Sequence, residues 1–259
     1  MSNAPDTPIS SSDPVRLSPF GTTRTEVRSR HALLSPDGFV PSLVPGWEQA
    51  LVYIVIGKGL GANLNQWLAT LPADSGARSY TGSRSAFFYV LEGQATINGT
   101  DCATGGFAYL PPGTEIEVST TGGVKFNVFE KEYEPLPGQS LDDAPTARFG
   151  NQAEFPGEPF LGDPDARLQT FLPADDLAFD MAVNHFTYQP GGTLPFVETH
   201  VMEHGMLMTS GQGVYRLDDR YYPVQAGDVI WMAPWCPQWY VSMGKTPSSY
   251  LYYKDVNRL

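Results

Sequence analysis

The sequence predicts an all-β chain built from two similar barrel or sandwich units. Three observations carry this. Short apolar runs rich in Val, Ile, Phe and Tyr recur between turn residues, as in strands that bury one or both faces. Gly and Pro are frequent, with 26 and 23 among 259 residues, which favours many turns over long helices. The two halves also repeat each other. YVLEGQATI at 89–97 aligns with LMTSGQGVY at 207–215, and GGFAYLPPG at 105–113 with GDVIWMAPW at 227–235, an offset of roughly 120 residues that suits a duplicated domain.

In chain order, residues 1–30 are polar and rich in Ser, Pro and Thr, and read as a flexible arm. The first unit spans 31–135. It opens with HALLSPDGFV at 31–40, two extended pieces around a Pro36-Asp37-Gly38 turn. Strands are predicted at 51–56, 63–71, 86–91 (ending at Glu92-Gly93), 95–98, 106–110, 116–120 and 124–129. Residues 136–166 are dense in Pro, Gly and Asp and read as a linker. The second unit, 167–259, has strands at 168–172, 179–188, 213–217, 229–233, 239–242 and 250–253.

Sixteen Lys and Arg against 28 Asp and Glu leave a formal charge of −12. That excludes a nucleic-acid backbone and an anionic membrane surface as partners, since both need clustered cations. A small anionic substrate is still compatible, because a local site can differ in sign from the whole. Cys102 and Cys236 do not have metal-pair spacing, and no disulfide is expected. The N-terminus has no basic start with an apolar run, and no stretch is long and apolar enough to cross a bilayer. A cytoplasmic protein is expected.

Two of the four histidines, His200 and His204, lie in one stretch, GGTLPFVETHVMEHGMLMTSG at 191–211. Glu198 and His200 are two apart and share one face of an extended chain. His204 can return to that face after a bend near Gly205. HVMEH at 200–204 also matches the inverted zinc-protease motif, whose histidines need a helix. Pro195 upstream and Gly205 directly after argue against a helix here. His31 and His185 have no metal-like spacing and are assigned no site. Cys236 is expected to pack, and Arg84 to pair at the surface.

The paired stretches resemble the two motifs of the cupin superfamily, small jelly-roll barrels. Gly192, Glu198-Thr199-His200, His204 and Gly211 fall on the first motif, and Gly227-Asp228 and Gln238 on the second, with Pro234 displaced by one residue. Glu198, His204 and Gln238 stand where a common cupin has His, Glu and His. This altered set, with ETHVMEHG at 198–205, SGQGVYRLD at 210–218, YLYYKDVNR at 250–258 and HALLSPDG at 31–38, resembles the (S)-ureidoglycine aminohydrolases from about residue 30 onward.

The resemblance implies two tandem cupin barrels behind a polar arm, the second barrel catalytic. It implies a divalent metal on Glu198, His200, His204 and Gln238. Two imidazoles and two oxygens suit Mn²⁺ first and Fe²⁺ second, without the thiolates that favour Zn²⁺. Tyr215, Tyr250 and Lys254 fall on substrate-contacting positions. Glu198 and Lys254 are the candidates for moving a proton, and Glu203 would point away from the metal. In the first unit Ala86 matches His204 and Ile116 matches Gln238, so that barrel is expected to hold no metal. The implied reaction is hydrolysis of (S)-2-ureidoglycine to (S)-ureidoglycolate and ammonia, in purine and allantoin catabolism. The alternatives are an Fe²⁺ bicupin dioxygenase or isomerase acting on another small acid, and a metabolite-binding cupin without turnover. A homo-oligomer is expected.

Overall fold

The computed structural model describes residues 23–256. Most of the arm predicted at 1–30 therefore lies outside the described residues. Two antiparallel β-barrels pack side by side, and the helical elements are short 3-10 turns such as Pro36–Gly38. No helix among the described residues is long and apolar enough to cross a membrane.

One wall of the first barrel runs Arg148–Asn151, Gly106–Leu110, Arg84–Ile97, Val124–Glu132, Leu64–Leu71, Leu51–Ile56. Ser75–Tyr80 pairs with Glu115–Thr120 to form the opposite wall. Inward residues alternate along these strands, so Ile116, Val118 and Thr120 are buried between exposed neighbours. One wall of the second barrel places Val229–Met232, His204–Ser210, Ser248–Asp255, Met181–Tyr188 and Asp163–Leu172 side by side. Arg220–Gln225, Gln212–Leu217 and Gln238–Met243 make the other wall.

The hydrogen bonding departs from the expected boundaries at both ends of the first unit. His31–Leu34, assigned to the first barrel, pairs with Val229–Met232 of the second, and Glu26–Val27 pairs with it in turn. Arg24 anchors this strap through two 2.7 Å bonds to the buried Asp228 carboxylate. The segment 136–166 is more than a linker. Arg148–Asn151 adds a strand to the first barrel, with Phe149 against its core, and Glu158–Phe160 adds one to the second. Exposed sheet edges recruit such strands because their backbone groups need partners.

Other elements also differ. The strand expected to end at Glu92-Gly93 continues from Arg84 to Ile97. It passes a register shift opposite Lys125 and Phe126, with Gly93 at φ +81°. A Cβ there would sit 2.2 Å from the Gly123 carbonyl oxygen, so only glycine fits. The strand expected from 179 begins at Met181, after a 3-10 turn at Leu177–Phe179 and Asp180 in the left-handed region. Cys102 and Cys236 are free and buried.

The barrels share two apolar seams. In one, Leu64, Phe87 and Phe129 meet Phe171, Met181 and Tyr253. In the other, Ile56 and Leu68 meet Leu207 and Trp231. Residues 204, 252 and 254 therefore face the interior of the second barrel, while 205 and 253 face the first.

Candidate active site

The loop before His204–Ser210 runs beside Gln238–Met243, with bridges at Thr193–Val241 and Glu198–Gln238. Glu198 and Gln238 exchange backbone bonds of 2.8 and 2.9 Å, so their side chains leave the backbone directly opposite each other. The Trp235 amide donates to the His200 carbonyl at 2.7 Å and tucks His200 beneath this pair. His204 opens its strand opposite Lys254.

His204 Nδ1–H donates to the Tyr253 carbonyl at 3.0 Å, which leaves Nε2 as a bare lone pair. That atom faces His200 Nε2 at 3.1 Å, and the Gln238 amide reaches the same His200 nitrogen at 3.0 Å. Burial pushes His204 well below the ordinary histidine range, with the charges of His200 and Lys254 adding to it. Burial first, then Lys254, also lowers His200. Both rings are thereby held neutral, and their ring nitrogens, 3.1 Å apart beside the Gln238 amide, can turn lone pairs toward a cation.

Among the described residues, no three His, Cys, Asp or Glu side chains gather into one ligand cluster. The further oxygen donors are the Gln238 amide, which accepts from the Tyr215 hydroxyl at 3.3 Å, and Glu198. Glu198, His204, Gln238, Tyr215, Tyr250, Tyr252 and Lys254 line one cavity of about 30 Å³, the room of an ion or a water. The donor set fits a divalent ion of borderline hardness.

Burial raises the Glu198 carboxyl above its usual range, opposed by Lys254. Burial lowers Lys254, opposed by Glu198. Each is shifted toward its neutral form, as proton-transferring groups need. Tyr188 and Tyr250 share a 3.0 Å hydroxyl contact, and burial keeps both phenols protonated. Tyr252, not among the residues expected from sequence, joins Tyr215, Tyr250 and Lys254 here; it lies on the same strand face midway between 250 and 254.

Glu203 points away from this cavity, as expected, and is buried. It accepts from the Asn63 amide of the first barrel at 3.0 Å and from the Tyr253 hydroxyl. With His200 on a loop and His204 on a strand, the helical zinc-protease arrangement is excluded. His31 and His185 are structural. His31 bonds the Tyr222 hydroxyl at 2.8 Å, and His185 lies between Gln152 and Thr209.

In the first barrel the matching register holds different chemistry. Ser79 lies opposite Ile116 where Glu198 lies opposite Gln238, and Ala86 opposite Glu130 where His204 lies opposite Lys254. The Trp47 indole fills the interior, donating to Ser79 Oγ at 3.2 Å and packing on Trp67, Phe88 and Phe126. Arg84, expected at the surface, pairs with Glu130 at 3.4 Å.

Residues 184–253 match the cupin domain family. The (S)-ureidoglycine aminohydrolase of Arabidopsis thaliana is 37% identical over 245 residues, covering 92% of this chain and 80% of the relative. The chain belongs to the (S)-ureidoglycine aminohydrolase family. An Escherichia coli K12 member is 34% identical over 236 residues, covering 88% of each chain. The crystal structure of Ylba from E. coli superposes with a TM-score of 0.79 at 32% identity, covering 92% of this chain and 96% of that one. A putative glyoxylate-induced protein of Pseudomonas aeruginosa gives a TM-score of 0.80 at 29% identity, with 92% and 94% covered. Oxalate decarboxylase of Bacillus subtilis, a protein with Mn(II) centres, superposes with a TM-score of 0.67 over 92% of this chain and 79% of its own. At 14% identity it shares the fold alone. The aminohydrolase family is thus a hydrolase family on a tandem cupin scaffold.

Proposed function

We propose that this chain hydrolyses (S)-2-ureidoglycine to (S)-ureidoglycolate and ammonia, a step of purine and allantoin catabolism. In this reading Glu198, His200, His204 and Gln238 hold one divalent metal, Mn²⁺ ahead of Fe²⁺. The observation that carries it is the meeting of His200, His204 and Gln238 beside Glu198 and Lys254, in a chain whose relatives bear the aminohydrolase name.

A bound divalent ion would supply positive charge for the substrate carboxylate and polarise the reacting carbon's substituents. The remaining work falls to side chains. Tyr215 and Tyr250, held protonated by burial, donate to the ureido or carboxylate oxygens. The departing amine must gain a proton and the incoming water must lose one. Glu198 and Lys254 line the cavity and are the groups placed to carry these protons.

The test is ammonia release from freshly made ureidoglycine by metal-stripped protein, with and without added Mn²⁺. Restoration by Mn²⁺, and its loss in His200→Ala, support the reading. Turnover that ignores metal, or no ammonia under any metal, refutes it. Oxygen uptake with a keto acid would instead favour the dioxygenase. Homo-oligomerisation and a cytoplasmic location belong to the same proposal, and sedimentation and cell fractionation test them.

A further inference from the structure

Alternation along the strands splits function between neighbouring residues. His204 and Lys254 face the cavity, while Glu203 and Asp255, the adjacent acids, bond to groups of the first barrel. The Glu203 carboxylate accepts from the Asn63 amide at 3.0 Å and from the Tyr253 hydroxyl. Its carbonyl accepts from the Asp255 amide at 3.0 Å. Tyr253 is therefore held at two points: its hydroxyl on Glu203, and its carbonyl on His204 Nδ1–H at 3.0 Å. Asp255 is fixed by Lys131 of the first barrel and by Asn63 Nδ2 at 3.2 Å.

The seam leaves no slack. A Cβ on Gly205 would lie 2.3 Å from the Tyr253 ring, 2.9 Å from Ile56 Cδ1 and 3.0 Å from Gln66 Oε1. Ile56 and Gln66 belong to the first barrel, so its wall presses directly on the strand that begins with His204.

We infer that the first barrel serves as a clamp for the active site of the second, with Glu203 and Tyr253 as positioning residues that fix the His204 tautomer and ring direction. The inference rests on the metal reading above. Partners that orient a ligating histidine typically change metal affinity by about 10–100-fold when removed. Nothing in this arrangement requires the first barrel to bind a ligand of its own.

The experiment measures the Mn²⁺ dissociation constant by chelator competition, and the spectrum of bound Mn²⁺ by electron paramagnetic resonance. The proteins are the unsubstituted chain, Glu203→Ala, Glu203→Gln and Tyr253→Phe, each also melted without metal. Glu203→Ala should weaken binding about 10–100-fold and broaden the spectrum. Glu203→Gln, which keeps an acceptor for the Asn63 amide, should recover most of that loss. Tyr253→Phe, which keeps the carbonyl on His204, should fall between. Melting that drops while affinity stays within threefold in all three variants would make Glu203 merely structural and overturn the inference. If Glu203→Ala does not fold, the spectra and affinities of Glu203→Gln and Tyr253→Phe decide alone. If the unsubstituted chain binds no Mn²⁺, the ligand assignment itself fails, a different result from equal binding by all variants.

Discussion

Replacing Lys131 with Met should destabilise the protein out of proportion to the one charge removed. The Lys131 ammonium is nearly inaccessible and bonds Asp180 at 2.7 Å and Asp255 at 2.6 Å. It also donates to the Asp180 carbonyl at 3.1 Å. Burial alone would lower its pKa, but the two carboxylates outweigh burial and the pKa is raised. Methionine matches the length and packs the same space, so little cavity cost arises. What is left is the Asp180 side chain, fully buried, and a partly buried Asp255, both without their cation. Removing one partner of such a buried pair costs about 3–5 kcal/mol. For a chain of this size about 2–4 °C accompanies each kcal/mol, so the melting temperature should drop roughly 6–20 °C. The assay is thermal unfolding of metal-free protein at neutral pH, compared with the same scan at high pH. Because the folded pKa is raised, the contribution is complete below the unfolded value and is lost as pH rises through the folded one. The difference between the proteins should therefore shrink in strong base. A Lys131→Met protein as stable as the parent at pH 7 would refute the reasoning.

Three further outcomes are expected. Burial lowers His185 from 6.5 to about 4, so the folded state refuses a proton that the unfolded chain accepts. Stability should be complete above pH 6.5 and fall by about 3 kcal/mol as pH drops to 4, and denaturant titration of His185→Gln should show a shallower fall. Trp47→Ala empties the interior of the first barrel and should cost about 3–5 kcal/mol of stability in urea unfolding. Its Mn²⁺ affinity should stay unchanged, and a parallel loss of affinity would count against a purely local effect. Tyr250→Phe keeps the ring but drops the hydroxyl. It should lower kcat/KM in the ammonia assay by about 10–100-fold and cost about 1–3 kcal/mol of stability, because the buried Tyr188 hydroxyl loses its partner; full activity would remove Tyr250 from substrate contact.

Much of this was legible because it is local. The run at 86–91 is buried on both faces, and apolar continuity says so without knowledge of its partners. Glu198, His200 and His204 share spacing that implies a face, and the register confirms the pairing of Ala86 with His204 across the duplication. Features that depend on distant partners were not legible. The composition of 136–166 signals loops, yet Phe149 finds a core to pack against. Arg220–Gln225 was missed because Pro223 argues against a strand, although it lies at the edge of its sheet where proline is tolerated. Glu203 is placed by the sequence pointing away from the metal, but a sequence shows its charge and not the Asn63 amide across the seam. Tyr252 needed only the period-two rule applied one step further.

The strap formed by His31–Leu34 has a consequence for how the chain is made. Leu34 pairs with Val229, so this strand closes on one synthesised about 200 residues later. At about 5–20 residues per second, that strand waits roughly 10–40 s for its partner. Through this interval Ala32 on one face and Leu33 on the other have no core to join. The first barrel can close during synthesis, but the second is completed only when this earlier strand joins it. A nascent protein halted before Val229 would carry an unclaimed apolar strand at His31–Leu34.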